Sequence, residues 1–154
     1  MRVMLDTNVL ISMIFFPGAK FERLLGGISK THTLVLSSFI VNELMAVTER
    51  KFPSKKDSVD RFLASLSYEL AYTPLRMKND MFKIRDANDY PVLYTAIIEN
   101  IDVLIAANAT SIAAAATNKV IVIVIALLFS MSFLRFGSTY AAAIFKLFHR
   151  FEGI

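Results

Sequence analysis

The stretch that decides the fold is IRDANDYPVLYTAIIENIDVLIA, residues 84–106. Its middle part, from Tyr90, predicts a helix, because a proline such as Pro91 is tolerated in the first turn of a helix. Its end, residues 102–106, is a short apolar run that predicts a buried strand. A helix that leads directly into a buried strand is typical of an α/β protein.

The same alternation runs through the preceding sequence. Residues 2–5 and 32–37 predict buried strands, and each is followed by a predicted helix. Residues 54–72 predict an amphipathic helix, and residues 73–77 predict a further strand before the opening stretch. Strands that alternate with helices predict an α/β fold with a parallel sheet covered by helices on both faces.

The bulk composition limits the class of protein. A chain of 154 residues suits one domain, and we expect residues 1–154 to form a single one. The net charge of +4 and the pI of about 9.4 are compatible with nucleic acid or an anionic surface as a partner. The absence of cysteine excludes disulfides and thiolate metal sites and fits a reducing cytoplasm.

The composition changes abruptly after residue 102. Twelve of the 13 acids precede this point, whereas residues 103–154 hold one acid and are about two-thirds apolar. The uncharged run at residues 120–134 is shorter than the roughly 20 residues that span a bilayer. Its alternating valines and isoleucines favour a buried strand, so we expect no membrane span.

Four acids lie where a sheet of this kind binds ligands. Asp6 follows the first predicted strand, Glu43 lies on the apolar face of the helix after the second, and Asp86 and Asp89 precede the helix at Tyr90. Each has another interpretation. Asp6 could cap the first helix, although Thr7 and Asn8 could do so instead, and Asp86 or Asp89 could cap the later helix, with Asp89 the better placed. Glu43 could pair with a basic side chain or lie at the edge of the apolar stripe.

Taken together, the acids favour a metal site. Acids at the ends of successive strand–helix units should converge on one edge of the sheet, where they would repel each other without a cation. Oxygen ligands alone favour Mg²⁺ or Mn²⁺ over zinc. His32 and His149 are isolated in the sequence and are interpreted as structural or exposed residues.

Three segments carry a resemblance to a known family. MRVMLDTNVLIS (1–12), LVLSSFIVNELMAV (34–47) and IRDANDYPVLYTAIIENIDVLI (84–105) resemble PIN domains, in particular the VapC-like ribonuclease toxins of toxin–antitoxin pairs. The resemblance covers residues 1–105 and implies a PIN-like three-layer sandwich, with a central parallel sheet of four or five strands between helices.

The resemblance also implies roles for individual residues. Asp6, Glu43 and Asp89 match the metal-binding and catalytic acids of the family, and Asp86 matches an additional acid of its RDxxD branch. Asn8 matches the polar neighbour that supports them. The supporting residues are then expected to be Thr7, Asn8, Ser37 and Asn108.

The resemblance ends after residue 105. Where the family usually has Thr-Gly-Asp, this chain has AANAT, so Asn108 stands in place of the fourth acid and Thr110 in place of the next. An asparagine offers an oxygen but no charge, so a second cation would bind less firmly. Residues 106–154 are interpreted as a divergent apolar tail, and a frameshifted or altered sequence would give the same pattern.

The expected function is that of a Mg²⁺- or Mn²⁺-dependent endoribonuclease, the toxin of a type II toxin–antitoxin pair. The alternatives are a catalytically impaired PIN-like module that binds an antitoxin through an apolar groove, and a membrane-attached PIN-like protein. The expected partners are RNA, an antitoxin and a second copy of the chain, since the apolar composition favours self-association. Candidate phosphate-binding residues are Lys20, Lys55 and Lys56.

Overall fold

The computed structural model describes residues 1–79, 81, 82, 84, 86–106 and 121–124 of the chain. These residues form an α/β fold in which a parallel sheet is flanked by helices, as the sequence predicts. The strands are β1 (Arg2–Leu5), β2 (Thr33–Ser37), β3 (Glu69–Ala71), β4 (Val103–Ala106) and β5 (Ile121–Val124). The helices are α1 (Thr7–Phe15), α2 (Ala19–Thr31), α3 (Ser38–Lys51), α4 (Lys56–Ser65) and α5 (Tyr90–Ile98).

The sheet has the strand order β3-β2-β1-β4-β5, and every neighbouring pair is parallel. Strand β1 therefore lies at its centre. Its residues Val3, Met4 and Leu5 are all buried, as are the four residues of β4. Strands covered on both faces are expected to be continuously apolar, which explains why RVML and VLIA lack polar alternation.

Helix α3 shows how the local sequence sets an element's boundaries. The buried Ser37 ends β2, and its hydroxyl accepts a hydrogen bond from the Ile40 backbone N–H at 3.1 Å, so it serves as the helix N-cap. Basic residues in the last turn, Arg50 and Lys51, complement the negative end of the helix dipole. Pro53 begins a short 3₁₀ turn that separates α3 from α4.

Two predictions between residues 54 and 77 are wrong. The amphipathic helix predicted over residues 54–72 is shorter and ends at Ser65, where Leu66 takes an extended backbone conformation. Glu69–Ala71 forms β3 instead. Pairing with β2 outweighs the helical apolar spacing there. The structure describes residues 73–77, and they do not form the expected strand. This segment follows β3, and its Leu75 is fully exposed.

The apolar run after residue 120 contains a strand, as its alternation predicts. Strand β5 (Ile121–Val124) pairs with β4 from Val103↔Ile121 to Ala106↔Val124. Part of the divergent tail thus completes one edge of the sheet. Among the residues that the structure describes, no helix has the length and apolarity needed to cross a membrane.

Candidate active site

The strand order reverses at the pair β1 and β4. The chain proceeds from β1 through β2 to β3 on one side, and from β4 to β5 on the other. In open α/β sheets, ligands bind at such a switch point, outside the carboxyl ends of the strands. Asp6 lies there: it follows β1 directly, and its backbone N–H donates to the Ile105 carbonyl of β4 at 2.9 Å.

The carboxyl group of Asp6 is the most buried acid of the site, with 6% of the residue exposed. The pKa of Asp6 is raised from 3.8 to about 6, chiefly by burial and next by the negative charges of Asp89 and Glu43. The backbone N–H groups of Thr7 and Asn8 partly oppose this increase. The carboxylates of Glu43 and Asp89, from two other helices, therefore lie close enough to Asp6 to influence its pKa.

The helix that follows Asp6 begins at Thr7, so the expected capping by Thr7 and Asn8 is wrong. Asp6 itself occupies the N-cap position with an extended backbone, but its side chain makes no capping hydrogen bond to the helix. The helix is held by the Asp6 carbonyl, which accepts from the N–H groups of Val9 and Leu10. The carboxylate is therefore not committed to capping.

Glu43 lies in the first half of α3, which packs against α1, and is half-buried. Its Oε2 accepts a hydrogen bond from the hydroxyl of the buried Thr7. The sequence left open that Glu43 forms a salt bridge with a basic side chain. Among the described residues, the salt bridges both involve Arg2, with Glu69 and Glu99, so that alternative is not observed.

Asp86 and Asp89 have different surroundings. The exposed Asp86 accepts a hydrogen bond from the Asn88 backbone N–H at 3.0 Å and caps a 3₁₀ turn, Ala87–Asp89. Asp89 is the N-cap residue of α5 by position, but its side chain makes no capping hydrogen bond. The sequence favoured Asp89 as the cap, and the inserted 3₁₀ turn transfers that role to Asp86. Asp89 instead acts electrostatically on Asp6.

The supporting residues also differ in their contacts. Asn8 is exposed, and its side-chain amide lies 3.5 Å from Oδ2 of Asp6, at the long limit of a hydrogen bond. The Thr7 hydroxyl donates to Glu43, whereas the Ser37 hydroxyl caps α3. Asn108 and Thr110, which stand where the family usually has acids, lie outside the described residues.

The chemistry of these donors fits a divalent cation. Asp6, Glu43 and Asp89 offer carboxylate oxygens, the ligands preferred by Mg²⁺ and Mn²⁺, and their mutual repulsion is relieved by a positive charge. Their spacing is looser than a closed metal site: within the described part of the chain, no three Asp, Glu, His or Cys side chains are grouped tightly enough to hold an ion as they stand.

The remaining candidates lie elsewhere. Lys20, Lys55 and Lys56 are exposed, and none is among the causes of the Asp6 pKa shift. His32 follows the end of α2 and is half-buried, which agrees with a structural role. His149 lies outside the described residues.

An apolar groove lies between α1, the start of α2 and α4. It encloses about 230 Å³ and is lined by Met13, Ile14, Pro17, Gly18, Phe21, Glu22, Leu25, Ser58 and Phe62. The sequence predicted an apolar groove only through the antitoxin-binding alternative and assigned no residues to it.

Sequence reasoning missed one polar cluster beside the site. The buried Thr95 of α5 contacts Thr73, and the backbone of Thr73 contacts Ser38 at the start of α3. A signal was present, since Thr95 is a polar residue inside the apolar stretch YPVLYTAII. A buried hydroxyl requires a hydrogen-bond partner, but the sequence does not say which one.

Comparison with known proteins identifies the family. Residues 2–110 match the family model described as PIN domain, and the chain belongs to this family. The resemblance to PIN domains noted in the sequence is thereby confirmed. The fold is similar to a chain in the crystal structure of VapBC2 from Rickettsia felis bound to a DNA fragment from their promoter. That match has a TM-score of 0.66 and 21% identity, and it covers 81% of this chain and 99% of the other. No curated protein matches the sequence.

Proposed function

We propose that this protein is a metal-dependent endoribonuclease, the VapC-like toxin of a toxin–antitoxin pair, acting in the cytoplasm. The observation that carries the proposal is that Glu43 accepts a hydrogen bond from Thr7, next to the buried Asp6, and that the charges of Asp89 and Glu43 both act on Asp6. Membership of the PIN domain family, whose members are generally divalent-metal-dependent nucleases, supports it. The basic net charge of +4 is compatible with a polyanionic substrate.

Asp6, Glu43 and Asp89 would hold Mg²⁺ or Mn²⁺, with Asp86 close by in the sequence as a further oxygen donor. When bound, a divalent cation supplies activation of water and neutralises the charge that develops on the phosphate. Because no three acids of the described residues are grouped tightly enough to hold an ion as they stand, the chain's own contribution would be to bring these carboxylates closer together.

Each acid has a separate task in this proposal. Asp6, with a pKa raised to about 6 by burial and its acidic neighbours, carries the charge that most needs a cation. Thr7 directs the carboxylate of Glu43 by donating to Oε2, which leaves the other oxygen of Glu43 available to a ligand. Asp89 brings its charge from the start of α5, where its side chain makes no capping hydrogen bond to the helix.

RNA cleavage tests the proposal. Wild-type protein and the Asp6→Asn and Asp60→Asn variants would be incubated with a mixed-sequence RNA and Mn²⁺ or Mg²⁺. Asp60 is an exposed acid of α4 and serves as the matched control. Cleavage should require the metal, survive Asp60→Asn and be lost in Asp6→Asn. Equal cleavage by wild-type and Asp6→Asn would reject the proposed site.

The apolar groove supports a second role, binding of an antitoxin. Phe21, Leu25 and Phe62 line a groove of about 230 Å³, which suits the apolar face of a partner helix. The similar Rickettsia felis structure is named for a VapBC2 pair, which supports a partner of this kind. Coexpression with a candidate antitoxin would test it: Phe62→Asp should abolish copurification, and retention of the partner would argue against this groove.

Exposed apolar residues support self-association as well. Strand β3 lies at one edge of the described sheet, and three exposed apolar side chains lie in it or just after it. The exposed fractions are 41% for Leu70, 73% for Tyr72 and 101% for Leu75. Exposed apolar patches mark interaction surfaces, so we propose a homodimer or higher homo-oligomer. Sedimentation of wild type and Tyr72→Lys would test it, since the variant should be shifted toward the monomer.

We propose further that residues 1–154 form one domain. The family model ends at residue 110, whereas β5, at Ile121–Val124, belongs to the same sheet. A strand from the divergent tail therefore continues the fold. Truncation after residue 117 should lower the free energy of unfolding of the remaining chain, and an unchanged unfolding midpoint would show that the tail is separate.

A further inference from the structure

A chain of hydrogen bonds joins α3 to α5 beside the candidate active site. The backbone N–H of Thr73 donates to the hydroxyl oxygen of Ser38 at 3.0 Å. The hydroxyls of Thr73 and Thr95 lie 2.9 Å apart, and the hydroxyl of Thr95 also lies 2.8 Å from the Pro91 carbonyl. We call these three residues, Ser38, Thr73 and Thr95, the hydroxyl bridge.

The protons of the bridge can be assigned by counting donors. A carbonyl oxygen only accepts, so the single hydroxyl proton of Thr95 goes to Pro91 within α5. The short contact between the two threonines then uses the Thr73 proton, which is donated to Thr95. Thr73 is thus the donor in both directions, through its backbone N–H to Ser38 and through its hydroxyl to Thr95.

The two ends of the bridge belong to the helices that carry two acids of the site. Ser38 is the first residue of α3, which holds Glu43 in its second turn. Thr95 lies within α5, whose N-cap residue is Asp89. The helices α3 and α5 also pack against each other. We therefore expect a change in the separation of the two helices to change the separation of Glu43 and Asp89.

The position of Thr73 is itself fixed by the sheet. Ser37 and Ala71 are paired in the parallel register of β2 and β3. Thr73 follows Ala71 by two residues, so its N–H reaches Ser38 just beyond the last pair of the ladder. Thr95 is fully buried, with Thr73 and Ser38 half-buried, which shields these hydrogen bonds from competing water.

We propose that Thr73 is a positioning residue that sets the distance between the Glu43 and Asp89 helices, and so tunes the affinity of the acidic site for a divalent cation. The inference rests on the proposed function, because it concerns the same cation. Residues behind metal ligands commonly change metal affinity by about 10–100-fold when they are replaced. Within the part of the chain that the structure describes, the hydrogen bonds of Thr73 go to Ser38 and Thr95 and not to an acid, so it acts through the helices.

The experiment uses the full chain and Mn²⁺ alone as the probe. Thr73→Val removes the donated proton while keeping the branched shape and the backbone N–H, and Thr73→Ser restores the hydroxyl. Thr48→Val is the matched control, since Thr48 is a buried threonine of α3 whose hydroxyl donates within its own helix, to the Leu44 carbonyl at 2.7 Å. Ser38→Ala removes the other end of the bridge and provides a second variant.

A second readout needs no metal. The chain has no cysteine, so Glu49→Cys on α3 and Ile98→Cys on α5 can carry a pair of spin labels at exposed positions. The label distances report the separation of the two helices in the metal-free protein. They would be measured in the wild-type background and with Thr73→Val, Ser38→Ala or Thr48→Val.

The expected result is that Thr73→Val and Ser38→Ala each weaken Mn²⁺ binding by about tenfold and broaden the label distances, whereas Thr73→Ser and Thr48→Val resemble wild type. Wild-type affinity in Thr73→Val, or equal losses in Thr73→Val and Thr48→Val, would overturn the inference. If wild-type protein bound no Mn²⁺, the proposed function would fail. The label distances would then decide alone whether the bridge sets the helix separation.

Discussion

The hydroxyl of Thr7 donates a hydrogen bond to Oε2 of Glu43, so the first residue of α1 directs an acid of α3. Thr7 adjoins Asp6 in the sequence, and both residues are buried. The local segment that supplies one carboxylate of the site therefore also orients a second one. Thr7 therefore links Asp6 and Glu43 through the protein itself, without a metal ion.

Replacement of Thr7 tests this contact. Thr7→Val removes the donor but keeps the branched shape, so Glu43 should lose its orientation and Mn²⁺ affinity should fall by about tenfold. Thr7→Ser retains the hydroxyl and should bind Mn²⁺ like wild type. Titration calorimetry measures both. Equal affinities for the wild-type and valine proteins would show that Thr7 does not direct Glu43.

The raised pKa of Asp6 makes the stability of the metal-free protein depend on pH. The unfolded chain releases the Asp6 proton near pH 3.8, whereas the folded protein retains it to about pH 6. Between these values the folded state binds more protons, so the Asp6 contribution to the free energy of unfolding falls as pH rises. The loss should be complete above about pH 6 and amount to about 3 kcal/mol.

Denaturant unfolding of wild type and Asp6→Asn in the presence of a chelator isolates this contribution. The neutral variant cannot ionise, so its stability relative to wild type should increase between pH 4 and pH 7. The outcome that contradicts the assignment is a stability difference that stays constant over this range. Asp60→Asn, at an exposed position, should show no such trend.

The two acids before α5 should respond differently to substitution. Asp89→Asn removes a charge that acts on Asp6, so Mn²⁺ binding and cleavage should fall by about a hundredfold. Asp86→Asn keeps an oxygen that can cap the Asn88 N–H, so it should cost less than about tenfold. Cleavage rates at saturating RNA separate the two. A larger loss in Asp86→Asn would place Asp86 among the principal ligands.

Ser37 should affect stability through its cap. Ser37→Ala leaves the Ile40 N–H without its partner at the buried start of α3, and the free energy of unfolding should fall by about 1 kcal/mol. Ser29→Ala is the control, because Ser29 is exposed and its hydrogen bond to the Gly26 carbonyl is longer, at 3.3 Å. Equal stability of the Ser37→Ala and wild-type proteins would show that this cap contributes little.

The sequence predicted those parts of the fold that depend on local patterns. The apolar runs RVML and VLIA became the central strands because burial on both faces demands continuous apolar residues. Asp6 could be placed at the edge of the sheet because it follows β1 without an intervening residue. The Ser37 cap of α3 was likewise predictable from its position before an amphipathic stretch.

Other features depend on packing between distant segments. Residues 69–71 continue the apolar spacing of a helix, and only pairing with β2 makes them a strand. The assignment of the cap to Asp89 failed because a 3₁₀ turn precedes α5. The partner of Thr95 is 22 residues away in the sequence, at Thr73, and no periodicity points to it.

The central claim is that Asp6, Glu43 and Asp89 share one divalent cation. Its most direct test is Mn²⁺ titration of the full chain without RNA, with wild type, Asp6→Asn and Asp60→Asn compared by calorimetry at pH 7.5. We expect saturable binding to wild type and Asp60→Asn, and affinity about a hundredfold weaker in Asp6→Asn. Identical Mn²⁺ affinities for wild type and Asp6→Asn would contradict the claim.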